Sequence, residues 1–150
     1  MTIATSGPWQ QAQIAEFLDT ATLPIRLSCV AADGFPRVIS LWFLHRAGNL
    51  YCVTHRSAKL VGLLNHSDKI GFEVAPDAPP YHGVRGQGRA TLTPLGEDPA
   101  LELLLQRYMG DLNTDFSQWL LSRKEEELIV CIKPHRLFSW DYRERMVDVV

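Results

Sequence analysis

Hydrophobic positions change their spacing several times along the chain, and each change marks an element. Ile14, Ala15, Phe17 and Leu18 recur at helical spacing within residues 10–20, which predicts an amphipathic helix stopped by Pro24. Over 25–32 the period falls to two, with Leu27, Cys29 and Ala31 on one face, so a strand follows. Asp33-Gly34-Phe35-Pro36 is a turn. Residues 36–46 then form one long β-branched and aromatic run with apolar side chains on both faces. Val38, Trp42 and Leu44 lie on one face, Ile39, Leu41 and Phe43 on the other. A strand covered on both sides needs a barrel interior on one side and a helix or second subunit on the other. Ala47-Gly48-Asn49 separates this run from a second one at 50–54, the pattern of a hairpin. Leu60, Val61, Leu63 and Leu64 suit one face of a helix, with Ser57 as its predicted N-cap.

Residues 69–75 predict another strand. Pro76, Pro79 and Pro80 make the next stretch a loop, because proline donates no ladder bond. Residues 82–93 read as a strand of two unlike faces. Val84, Gly86, Gly88 and Ala90 are small, whereas Arg85, Gln87 and Arg89 are long and polar. Glycines in a strand mark close approach by a ligand or another backbone, or admit a close helix. Asp98 followed by Pro99 predicts a helix start, running to Met109 with Gly110 as its stop. A short helix over 116–122 and a strand over 127–133 follow; Pro134 interrupts, and 135–141 extends the sheet. The count is about six strands and three or four helices, with helices not regularly interleaved. That favours a mainly β, single-domain antiparallel barrel with peripheral helices over a doubly wound sheet.

Composition changes this picture little. The chain has 150 residues and a formal net charge of −2, which gives no case for nucleic acid or an anionic membrane as partner. No apolar run reaches the roughly 20 residues of a membrane span, and the first ten residues lack the pattern of a secretory signal. Cys29, Cys52 and Cys131 are far apart within apolar runs, as expected of buried thiols in a reducing compartment; cytoplasm is the expectation. The chain has no G-x-S-x-G, Walker loop, H-E-x-x-H or C-x-x-C, and its five histidines show no metal spacing. Gly86-Gln87-Gly88 has no helix after it, so it is no dinucleotide loop. No carboxylate pair is placed for acid–base work, so chemistry would come from a bound cofactor.

One local feature points to such a cofactor. His55, Arg56 and Lys59 crowd the start of a helix whose first turn has no Asp or Glu. Cations there oppose the helix dipole at a cost of a few tenths to about 1 kcal/mol. Two readings fit: a solvated, slightly frustrated cap, or a cradle for a phosphate.

The order of these elements resembles the pyridoxamine 5′-phosphate oxidase-like, FMN-binding split-barrel superfamily. The resemblance rests on the D-G-x-P turn, the strand opening Arg37-Val38, the hairpin, the strand ending in Thr54, Ser57-Ala58-Lys59 opening a helix, and VRGQGRATL and KPHRLFSWDYRERM further on. It covers roughly residues 17–146 and implies a six-stranded antiparallel Greek-key split barrel that binds FMN. Arg37, Val38, Ile39 and Ser40 would line the flavin, with Arg37 near its phosphate. Val53 and Thr54 would contact its tail or ring, and Ser57, Ala58 and Lys59 would form the phosphate turn. The resemblance also implies a homodimer with cofactor at the subunit interface and a small-molecule substrate. There His82, Gly83, Arg85 and Trp140 would approach from the partner chain. Three departures stand out. Ala58-Lys59 replaces Arg-Lys, Gly83 occupies the place of a polar residue near the flavin edge, and 143–150 shows no substrate-binding segment. The resemblance therefore implies flavin binding, not pyridoxine-phosphate oxidation. A non-catalytic flavin carrier, or an F420- or haem-binding member of the fold, are the competing readings.

Overall fold

The computed structural model describes residues 3–147. Eight strands and four α-helices follow one another: β1 (Ala4–Ser6), α1 (Gln11–Thr20), β2 (Ile25–Val30), β3 (Pro36–Leu41), β4 (Leu44–Arg46), β5 (Asn49–His55), α2 (Lys59–His66), β6 (Lys69–Val74), β7 (His82–Pro94), α3 (Ala100–Met109), α4 (Asp115–Leu121) and β8 (Glu127–Asp141). They form one sheet in the order β3-β2-β6-β7-β8-β5-β4, with β1 added in parallel to β8. All other pairings are antiparallel. The end strands β3 and β4 are separated only by Trp42 and Phe43, so the sheet curls until its ends meet there. The chain is thus mainly β with peripheral helices, as expected, with two short strands more than the sequence pattern shows.

The single strand predicted over 36–46 is broken at Trp42 and Phe43. The Phe43 N–H donates to the Tyr108 hydroxyl at 3.2 Å instead of joining a ladder. Phe43 drives into the main core, while Trp42 turns to a second core beneath α3. One strand cannot serve both without bending. The hairpin is as predicted: Ala47 and Gly48 both have positive φ, 50° and 80°, which matches the twist of paired strands.

Strand β5 divides the two cores. Leu50 and Cys52 pack into the main one, whereas Tyr51 and Val53 pack on the second. Burial holds the Cys52 thiol far from ionisation, its pKa pushed up to about 12. All three cysteines are free thiols; Cys29 and Cys52 are buried and Cys131 is half-buried.

Pro134 does not interrupt the last strand. β8 runs continuously past it, and a register shift at Gln87/Gly88 in β7 absorbs the missing N–H. The glycines of β7 mark close approach by backbone, one of the readings the sequence left open. A Cβ on Gly88 would lie 2.2 Å from the Lys133 carbonyl oxygen, and one on Gly86 2.7 Å from that of Arg136.

Helix α3 begins one residue later than predicted, with Pro99 at its cap position. Asp98 still serves the cap: it accepts the Ala100 N–H at 2.9 Å and takes both Arg46 guanidinium nitrogens at 3.2 Å. Gly110, at φ 73°, ends the helix as expected. Among the described residues no helix is long and apolar enough to cross a membrane.

Candidate functional site

The outer face of β5 opens on a cleft of ≈ 450 Å³. Val53 forms its floor, Ser40 and Trp42 one wall, and Phe116 and Leu120 of α4 another. Trp42 is locked in place, stacked on Tyr108 at 5.1 Å with an interplanar angle of 4°. The Tyr108 hydroxyl donates to the Leu23 carbonyl at 2.8 Å, and burial raises its pKa. Polar groups are few. Arg26 donates to the Ser40 hydroxyl at 2.5 Å, and the buried Glu127 carboxylate takes Arg123 at 3.3 Å. A rigid apolar slot with a few fixed polar groups suits a flat aromatic ligand.

Alternation along β5 puts Tyr51, Val53 and His55 on the same side, so this face leads from the cleft to the charged turn. The His55 Nδ1 accepts from the Ser57 N–H at 3.1 Å and lies 2.7 Å from its hydroxyl. The ring proton therefore sits on Nε2 and is donated to Glu126 at 3.0 Å. Arg56 approaches the other Glu126 oxygen at 3.5 Å. The His55 hydrogen bond, with lesser help from the Arg56 charge, holds the Glu126 carboxyl below the usual range. Two of the three basic residues are thus answered by an acid some 70 residues away, which no local pattern reveals. Lys59 is exposed and has no acidic partner among the described residues.

Ser57 is not the N-cap. Its hydroxyl is turned to His55, and Ala58, which has no capping atom, occupies the cap position. The Val61 N–H reaches back to the Ala58 carbonyl at 3.1 Å, and the Lys59 and Leu60 N–H groups are left without a helical acceptor or a side-chain cap. Such N–H groups beside an unpaired lysine fit a phosphate.

The remaining expected residues fall into two groups. Arg37 lies in neither cleft: it pairs with Asp33 at 3.0 Å across the turn before β3. Val38 is 71% exposed on the outer side of β3, Ile39 packs toward the main core, and Thr54 is buried. His82, Arg85 and Trp140 meet in a separate cleft of ≈ 400 Å³. The Arg85 guanidinium lies 4.5 Å from the Phe138 ring and 4.9 Å from that of Trp140. It faces Glu73 across the ladder. The His82 Nδ1 donates to the Pro80 carbonyl at 2.9 Å. Gly83 is buried, and a Cβ there would lie 2.6 Å from the Val74 carbonyl. Sequence reasoning missed Arg26, Glu127 and Phe116. Glu127 carries a signal, a charge at a buried strand position; the exposed Arg26 and Phe116 carry none.

No protein-family model and no curated protein matches the sequence. Solved structures do. A conserved hypothetical protein of Mycobacterium tuberculosis superposes with a TM-score of 0.74 at 22% identity, covering 92% of this chain and 88% of its own. The chain has the pyridoxamine 5′-phosphate oxidase-like split-barrel fold. An F420 reductase matches the split barrel with a TM-score of 0.69 at 20% identity, over 81% of this chain and 94% of its own. A candidate pyridoxamine 5′-phosphate oxidase of Listeria innocua matches with 0.65 at 17%, over 84% and 94%.

Proposed function

We propose that this split barrel is an FMN-binding flavoprotein and, as a homodimer, an oxidoreductase acting on a small molecule. The observation that carries this reading is Lys59, an unanswered cation at the uncapped start of α2, reached from an apolar cleft along one face of β5. Lys59 and the free N–H groups of α2 would hold the cofactor phosphate. Trp42, Val53 and the α4 side chains would exclude water from its ring, and Ser40, positioned by Arg26, would hydrogen-bond to a polar edge. The bound flavin would supply hydride transfer, which requires no side-chain acid or base.

The outer side of β3 supports the dimer in this reading. Val38 on this edge strand is 71% exposed and Phe35, in the turn just before it, 68%; among the described residues β3 pairs only with β2. A second copy would cover this edge, and its cleft of His82, Arg85 and Trp140 would complete the site. The F420 reductase among the structural neighbours favours one second reading, a deazaflavin in place of FMN.

The test is the absorption spectrum of freshly purified protein, followed by release of the chromophore and its mass. FMN supports the proposal. F420 replaces the cofactor but keeps the phosphate site. A colourless protein that takes up neither overturns it in favour of a non-catalytic barrel.

A further inference from the structure

The cofactor cleft uses only the outer face of β5. Beneath α1, on the inner side, lies a second cavity of ≈ 490 Å³. Its walls are mostly apolar, with Ile14 and Leu18 from α1, Leu50 from β5 and Leu137 from β8, and Gln11 of α1 adds a polar side chain. Among them stands one imidazole, His45, directly opposite Leu50 in the β4–β5 ladder. Its side chain is only 12% exposed, and its Nδ1 lies 2.7 Å from the Asp19 carboxylate. An ionised carboxylate only accepts, so in the neutral ring Nδ1 carries the proton and Nε2 keeps its lone pair. No hydrogen bond to that Nε2 occurs among the described residues. An acceptor that no described protein group answers is open to a ligand's O–H, and a few oriented polar atoms among mostly apolar walls are how such sites select a ligand.

We propose that this cavity binds a small, mostly apolar molecule bearing one hydroxyl, as in a phenol, whose O–H donates to His45 Nε2. Asp19 is a positioning residue: it fixes the tautomer that makes Nε2 an acceptor. The site stands apart from the flavin cleft and does not rest on flavin binding.

The test is a ¹H–¹⁵N NMR titration of the full chain at pH 8 with 4-ethylphenol and with ethylbenzene, which differ only in the hydroxyl. Saturable shifts are expected at the amides of Leu18, His45 and Leu50, with 4-ethylphenol bound about fivefold more tightly, the value of one neutral hydrogen bond. His45→Phe keeps the ring and removes the acceptor, so the two ligands should then bind equally. Ala15→Trp, which fills the cavity, should abolish binding of both and leave FMN uptake unchanged. The proposal is overturned by an absence of saturable shifts, by shifts centred on Ser40 and Val53 instead, or by a phenol preference that survives His45→Phe.

Discussion

Replacing Lys59 by alanine separates the fold from the phosphate site, because the two respond in opposite directions. In the free protein Lys59 is exposed, has no acidic partner among the described residues and sits where the α2 dipole is positive. Its removal should stabilise the apo fold by a few tenths of a kcal/mol, the lower end of the dipole range, since water screens it. With FMN bound, the same ammonium would make a charge-assisted contact to phosphate. Its loss should weaken binding by about 1–3 kcal/mol, or roughly 5- to 150-fold in Kd. Arg56→Ala is the internal control. Arg56 already lies 3.5 Å from Glu126, so less of its charge is available and the loss should be smaller. FMN fluorescence quenching gives both affinities, and urea unfolding of the apo proteins gives the stabilities. The Lys59 effect should shrink at high salt, because the site is open to counterions. An unchanged FMN affinity in Lys59→Ala, or an Arg56 effect larger than the Lys59 one, would refute the reasoning.

Three further outcomes concern the scaffold. Gly88→Ala should destabilise by roughly 2–4 kcal/mol, because the new Cβ meets backbone at 2.2 Å and nothing flexible can yield, whereas Gly62→Ala, with open space around it, should gain up to ~1 kcal/mol; urea midpoints compare them. Arg107→Met should cost about 2–3 kcal/mol and lower amide protection in α1, since Arg107 donates to the carbonyls of Leu18, Asp19 and Ala21 at the end of that helix. Hydrogen bonds from Arg143, with a further one from Trp9 Nε1, hold the Asp141 carboxyl well below its ordinary value. Its folded-state pKa is depressed, so its stabilisation is present above about pH 4 and is lost as pH falls further. Asp141→Asn should therefore flatten the loss of stability between pH 5 and roughly pH 2, measured by urea midpoint.

Much of the barrel is legible in the sequence because strands declare themselves by period. Leu27, Cys29 and Ala31 alternate, and so do the two faces of β7. The break at Trp42–Phe43 was hidden, because it depends on a hydroxyl from Tyr108, 65 residues on. β1 was hidden too, since three exposed residues carry no periodicity. At the candidate site the cationic turn could be read, but its electrostatics could not. Glu126 answers His55 and Arg56 only through the β5–β8 pairing, leaving Lys59 as the unpaired charge. Ser57 looked like a cap by residue type, and the nearby imidazole claimed its hydroxyl first.

Strand β8 pairs with β1, β5 and β7, and is made after all the other described strands. Until it emerges, β5 and β7 each present an open edge, and the inner faces of both have nothing to close against. A nascent chain stopped before Glu127 therefore holds two fragments of sheet, β4–β5 and β3-β2-β6-β7, with no ladder between them. Barrel formation waits until β8 has been made, and the waiting chain carries the unpaired strands that favour association with its neighbours. Such a protein should gain more from chaperone shielding during synthesis than from a fast-folding N-terminal half.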